Sequence, residues 1–282
     1  AVARILVDQG EDARALERLK LARELDPTNP QIYYLLGELG VSQGDMVGAE
    51  KNFRKAAELD PDFTDAHIRL GMVLSETRRL KDSVKAFERA IFLDRAAVVA
   101  RYHLAQVCLQ LEDHQRALTQ LHLVKELHPD YAPVYVLQGD IFQRLGDHRQ
   151  AVVEFSKAIE LGAGDATVYY SLGRAHLALK NKEKALRAFL ATIEQDPEAW
   201  SAYYHAAQLQ EDMKRLAQAQ KHYQALAHVE EYREVAVAAV ERIGNTLAEI
   251  AASMAGEQEP PMPPPGGAAG TGPIGPNATR PL

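Results

Sequence analysis

Residues 30–63 read Pro-Gln-Ile-Tyr-Tyr-Leu-Leu-Gly-Glu-Leu-Gly-Val-Ser-Gln-Gly-Asp-Met-Val-Gly-Ala-Glu-Lys-Asn-Phe-Arg-Lys-Ala-Ala-Glu-Leu-Asp-Pro-Asp-Phe. Apolar residues recur at three- and four-residue spacings on both sides of Gly44-Asp45, so the stretch reads as two amphipathic helices joined by a turn. In the second helix Ala49, Phe53 and Ala56 share one face. The alanines let a neighbouring backbone approach, and the aromatic ring fills the space beside them. Asp60-Pro61 ends the helix and resets the chain, because proline cannot continue the hydrogen-bond ladder.

Outward from this stretch the same pattern returns at one interval. Gly37, Gly71, Ala105, Gly139, Gly173 and Ala207 are each 34 residues apart, and so are Ala15, Ala49, Ser83, Ala117, Ala151, Ala185 and Ala219. Four residues after each of the second series stands a large side chain: Leu19, Phe53, Phe87, Leu121, Phe155, Phe189 and Tyr223. Three further on come Ala22, Ala56, Ala90, Val124, Ala158, Thr192 and Leu226. Turns fall at Gly44-Asp45, Arg78-Arg79, Glu112-Asp113, Gly146-Asp147, Lys180-Asn181 and Lys214-Arg215. The joints are Asp26-Pro27, Asp60-Pro61, His128-Pro129 and Asp196-Pro197, with Asp94-Arg95 and Gly162-Ala163 in the same slot without proline and so less rigidly specified. No insertion breaks the register. Self-similarity of this kind predicts a solenoid whose hairpins stack on their neighbours.

The residues resemble the tetratricopeptide repeat (TPR). Tyr33 with Leu36-Gly37, Ala49, Phe53, Ala56 and Pro61 match its pattern nearly in full, and Tyr169 with Leu172-Gly173, Ala185, Phe189 and Pro197 almost as well. The repeat at 98–131 departs most, carrying Arg101, Ala105 and Cys108 at the signature slots. The resemblance covers about residues 1–233 and implies an all-α, right-handed solenoid of antiparallel helix pairs. The register predicts a partial repeat over 1–29, six full repeats over 30–233, a capping helix over 234–254 and a Pro/Gly-rich low-complexity tail over 255–282. Val2-Ala3 stands where Leu36-Gly37 stands later, so the chain is expected to start mid-helix and to be an N-terminal truncation. Ala236, Val240, Ile243, Leu247 and Ile250 form the apolar stripe of the cap, which covers the face that the last repeat would leave bare; Gly244 costs it about 1 kcal/mol relative to alanine. The tail, with Pro-Pro-Met-Pro-Pro-Pro at 260–265, cannot bury a core and is expected to be disordered. It has no flanking Lys or Arg to orient it on a proline-binding module, and Asn277-Ala278-Thr279 matters as a glycosylation acceptor only in a secreted chain.

Composition narrows the function. The chain has 282 residues, 46% of them hydrophobic and 25% charged, and a formal net charge of −7, which argues against a nucleic-acid binder because phosphate neutralisation needs concentrated Lys and Arg. No segment reaches the roughly 20 uncharged apolar residues of a membrane-spanning helix, so no direct membrane insertion is expected. Cys108 is the only cysteine and builds neither a disulfide framework nor a zinc site. It fits a reducing compartment, so a cytoplasmic location is expected, with a periplasmic or other one left open. Nucleophile–base arrangements, phosphate loops and paired catalytic carboxylates are absent from the sequence, so no enzyme activity and no cofactor are expected. His114 and His148 occupy equivalent turns with no third ligand, so no metal site is expected; His67, His103 and His205 lie on first helices near the inner face.

The resemblance implies that the first helix of each pair lines a concave groove and that a peptide or helix is bound there. The inner-face slot holds Tyr34, Ile68, Tyr102, Val136, Tyr170 and Tyr204, bordered by Glu38, Met72, Gln106, Asp140, Arg174 and Gln208. An aromatic and aliphatic ladder with a mixed polar border suits an apolar segment anchored by a few side chains. The same tyrosines could instead pack on the next repeat with only the hydroxyl wet. Two specialised grooves of the family are missing: the carboxylate-clamp slots carry Tyr34, Glu38, Asp65, Ile68 and Arg69, with one cation, and there is no asparagine ladder. The expected function is a protein-interaction scaffold or assembly factor with a protein or peptide partner. A regulatory or targeting region of a larger enzyme and self-association through groove or tail remain alternatives.

Overall fold

The computed structural model describes residue 6 and residues 10–256, so the tail from residue 257 and the opening Val2-Ala3 lie outside the described residues. Fourteen helices and no strand occur among the described residues. α1 (Asp12–Leu25) leads into six pairs: α2 (Pro30–Ser42) with α3 (Met46–Leu59), α4 (Thr64–Glu76) with α5 (Leu80–Leu93), α6 (Val98–Gln110) with α7 (His114–Leu127), α8 (Ala132–Arg144) with α9 (His148–Glu160), α10 (Ala166–Ala178) with α11 (Lys182–Gln195), and α12 (Trp200–Asp212) with α13 (Leu216–Leu226). α14 (Arg233–Gly256) follows. Each helix packs on those before and after it, and the first helices α4, α6, α8 and α10 also touch in sequence. The result is a right-handed solenoid of antiparallel pairs, with the first helices side by side on one wall.

The turn inside each pair is a left-handed helix stop. Gly10, Gly44, Arg78, Glu112, Gly146, Lys180 and Lys214 have φ between 60° and 77° at the repeating interval. At α4 the Arg79 N–H donates to the Leu74 carbonyl at 2.8 Å and the Arg78 N–H to that of Ser75 at 3.0 Å, the paired bonds of a Schellman motif. Glycine adopts this φ freely; Arg78, Glu112, Lys180 and Lys214 hold it because the hairpin around them is packed.

The joints between pairs are set by aspartate as much as by proline. Asp60 Oδ1 accepts from the Asp62 N–H, Asp94 Oδ1 from the Ala96 N–H and Asp196 Oδ1 from the Glu198 N–H, at 2.8–3.1 Å. Asp94-Arg95 therefore makes the same turn as the proline joints. Gly162 is different: with φ +90 it stops α9 early, and Asp165 then caps α10 by accepting from the Val168 N–H at 2.9 Å.

The core runs as a strip between the helix layers. Phe53, Phe87, Phe155 and Phe189 are wholly buried. A Cβ on Gly37, Gly71, Gly139 or Gly173 would meet the paired ring at 2.6–2.8 Å, so those glycines are required by close approach. α14 closes the strip with Ala236, Ala239 and Ile243 buried on α13 and with Val240 and Leu247 partly buried. Ile250, expected in the covered stripe, is exposed. At 1.5 Å per residue α14 is about 36 Å long and α13 only about 17 Å, so the cap outruns the helix beneath it.

Candidate partner-binding groove

The ladder residues share one register on successive first helices, and all are only partly buried. Each ring rests one side on the protein. Tyr34 meets Phe53 edge-on at 5.7 Å and Phe63 at 5.1 Å; Tyr102 meets Tyr131 edge-on at 5.7 Å. Tyr170 packs against Phe189 at 5.6 Å and Tyr204 against Tyr232 at 5.5 Å. Ile68 packs on the core between α5 and α8, and Val136 on the core of α8–α10. Packing and exposure therefore coexist in each side chain, which is the condition for a rigid aromatic contact surface.

The polar border is varied. Glu38 is engaged by Arg69 through two hydrogen bonds, one of them Nη2–Oε2 at 2.7 Å, so the single cation in the clamp slots is already neutralised. Met72 lies 3.9 Å from Arg69 Nη1. Gln106 bonds His103 Nδ1 at 2.8 Å and donates to the Tyr102 hydroxyl at 3.4 Å. The Asp140 side chain makes no hydrogen bond or ion pair among the described residues; burial raises its carboxyl pKa and Arg144, one turn on, opposes that. Burial, with Tyr131 and Asp140, also raises the Tyr102 hydroxyl. Arg174 and Gln208 are exposed.

At the C-terminal end the wall deepens into a cavity of about 730 Å³ between α10, α12, α13 and α14, lined by Leu177, Tyr204, His205, Gln208, Glu211, Tyr223, Val235, Ala238 and Arg242 among others. Glu211 pairs with Arg242 and accepts from the Tyr223 hydroxyl at 3.3 Å. Burial, and then Glu211, push the Tyr223 pKa up to about 12. Burial and Arg174 hold His205 below the usual histidine range. The cap's share of this cavity was not foreseen from the sequence. A signal for it existed: stepping 34 residues from Tyr204 and Gln208 lands on Ala238 and Arg242, so α14 continues the ladder although the signature residues have stopped. Of the first-helix histidines, His205 enters the cavity, His103 bonds the border and His67 bonds the Pro61 carbonyl at 3.1 Å. Among the described residues no three His, Cys, Asp or Glu side chains are grouped to hold a metal, and no helix is long and apolar enough to cross a membrane.

Comparison with known proteins agrees with the helical-repeat fold. A family model described as tetratricopeptide repeat matches residues 68–132, 136–199 and 181–234, and two further TPR models match 3–44 and 30–63. Anaphase-promoting complex subunit 3 of Schizosaccharomyces pombe is 34% identical over 74 residues, which are 26% of this chain and only 11% of that protein. The C-terminal part of a TPR repeat-containing protein from Cytophaga hutchinsonii superposes with a TM-score of 0.71 at 13% identity, over 85% of this chain and 98% of that one. YrrB, described as a TPR protein with an unusual peptide-binding site, superposes with a TM-score of 0.57 at 21% identity, over 67% and 97% of the two chains. Together the matched repeats occupy most of the length, and the chain belongs to the tetratricopeptide repeat family.

Proposed function

We propose that this protein is an interaction scaffold that holds an apolar peptide or helix of a protein partner along the inner wall built by α2, α4, α6, α8, α10 and α12. The observation that carries this reading is the half-buried ladder of Tyr34, Ile68, Tyr102, Val136, Tyr170 and Tyr204: one side of each is fixed by the fold and the other is left to solvent. Pre-fixed aromatic side chains lose little rotamer freedom on binding, so they give affinity at low entropic cost. Family membership supports the scaffold role. Glu38, Met72, Gln106, Asp140, Arg174 and Gln208 along the border would set register and specificity.

The test is affinity capture on the immobilised protein, with identification of the retained partner and a binding constant for it. Tyr102→Ser/Tyr170→Ser should weaken that partner at least about tenfold, the loss of two contact rings, with helical circular dichroism nearly unchanged. Arg174→Glu/Gln208→Ala, which alters only exposed side chains, provides a second reading free of folding effects. A partner bound equally by wild type and both variants would exclude this wall.

A further inference from the structure

A second cavity, of about 340 Å³, opens at the edge of the inner wall, where the first turns of α10 and α12 meet the segment leading into α14. Its lining includes the aromatic residues Tyr170, Trp200 and Tyr232 and the acidic residues Asp196, Glu198 and Glu231, and no Lys, Arg or His. Among the described residues none of the three carboxylates is ion-paired: Asp196 is spent on its own turn, and Glu198 and Glu231 are exposed and make no side-chain salt bridge. The aromatic residues are held from outside the cavity. Tyr170 packs on Phe189, Trp200 on Tyr203 at 5.6 Å and Tyr232 on Tyr204, with the Tyr232 and Ser201 hydroxyls 3.0 Å apart.

Two charge terms compete here. The N-termini of α10 and α12 each carry roughly half a positive charge, which favours an anion. Against them stand three full negative charges, and the α10 terminus is also capped by the Asp165 side chain. The carboxylates win, and the aromatic faces, negative at their centres, act in the same direction.

We infer that this cavity is a subsite for an arginine side chain of the partner polypeptide. Its physiological ligand rests on the partner-binding reading above, since Tyr170 belongs to both surfaces. Arginine fits better than lysine because a planar, weakly hydrated guanidinium stacks on an aromatic face while its edge bonds carboxylates, whereas an ammonium keeps its water. An acidic or neutral apolar anchor would place the three carboxylates against no counter-charge.

Trp200 is the only tryptophan, so its emission reports on this cavity alone. The probe is the blocked tripeptide acetyl-Gly-Arg-Gly-amide, titrated into the full chain at low ionic strength. The controls are its citrulline, lysine and glutamate counterparts, with salt matched. The arginine peptide should change the emission saturably, with half-saturation in the millimolar range, while the citrulline and glutamate peptides should not, and lysine should bind more weakly. Glu198→Gln/Glu231→Gln, at exposed positions, should weaken the arginine peptide about fivefold without altering the helical spectrum. An equal response to citrulline, a lysine peptide that binds as well or better, or indifference to the double substitution would each overturn the assignment. Because no partner is needed, failure here leaves the groove reading standing, and failure of the capture experiment leaves this result standing.

Discussion

Gly71 and Phe87 show how one pair of residues carries the register. A Cβ on Gly71 would come within 2.7 Å of Cε1 of a wholly buried ring, and the same contact recurs in three other repeats. Where the sequence has Ala105 in the glycine slot, the partner is Leu121, not phenylalanine: the extra methyl and the smaller apolar side chain compensate. Ala207 shares its core with Tyr223, and nothing in the packing explains that combination. Gly71→Ala alone should therefore overpack the α4–α5 hairpin and lower stability by about 1–3 kcal/mol. Phe87→Leu alone should leave a void with a cost of similar size. Combined, the two should cost less than their sum by about 1 kcal/mol or more, because the substitutions share one site. Urea midpoints of the wild type, both single variants and the double variant measure this coupling. Strict additivity would show that the ring and the methyl do not compete.

At the scale of helices, the α7–α8 joint departs from the rest of the array. Lys125 Nζ bonds Gln138 Oε1 at 2.9 Å and Glu154 at 3.0 Å, and it lies 4.4 Å from the Tyr135 ring centre. Gln138 and Glu154 are buried. In neighbouring repeats the Lys125 slot holds Ile91 and Ile159 and the Gln138 slot Leu104 and Leu172, whereas the Glu154 slot holds Gln120 and Ala188. At the Lys125 and Gln138 slots polar residues thus replace apolar ones, and Lys125 satisfies both Gln138 and Glu154. Lys125→Met should cost about 3–5 kcal/mol, since it leaves Glu154 buried without a counter-charge. The triple change K125I/Q138L/E154A installs the apolar set of the following repeat (Ile159, Leu172, Ala188) and should be neutral or stabilising by up to about 4 kcal/mol. Denaturant midpoints distinguish the two, and a triple variant as weak as Lys125→Met would mean that the cluster adds net stability. The departures at Lys125 and Gln138 are visible in the sequence once the register is laid out, but their meeting with Glu154 is not. Residues 13 and 29 positions apart converge only because one hairpin stacks on the next. For the same reason the helices and turns were legible as a period, whereas the cavities were less so: the period points only to Ala238 and Arg242 in the larger one, and the Trp200 cavity joins three helices with the segment before α14, where no period marks it.

The whole molecule carries a common response to acid. His67, His103, His176, His205 and His222 all lie below the ordinary histidine range, in each case because burial disfavours the charged ring. His176 is the least ambiguous: it is 8% exposed, its Nδ1 is buried without a hydrogen-bond partner among the described residues, and Lys184 and Arg187 depress it further. In the unfolded chain these rings bind protons near pH ~6.5, so below that value the unfolded state takes up more protons than the folded one. Their folded pKa values are lowered, and a base shifted this way makes its full contribution to stability above the unfolded pKa and loses it as pH falls. The urea midpoint should accordingly be flat above about pH 7 and decline from about pH 6.5 downward, before carboxylate protonation contributes. Because the histidines are spread over four repeats, the decline is a property of the array and not of one hairpin. His176→Leu takes up the side chain found at the equivalent Leu74, removes the unsatisfied nitrogen, and should both raise the midpoint and flatten its fall on acidification. The same slope in the variant as in the wild type would remove His176 from the acid response, and a midpoint that rises as the pH falls through this window would reverse the sign for all five.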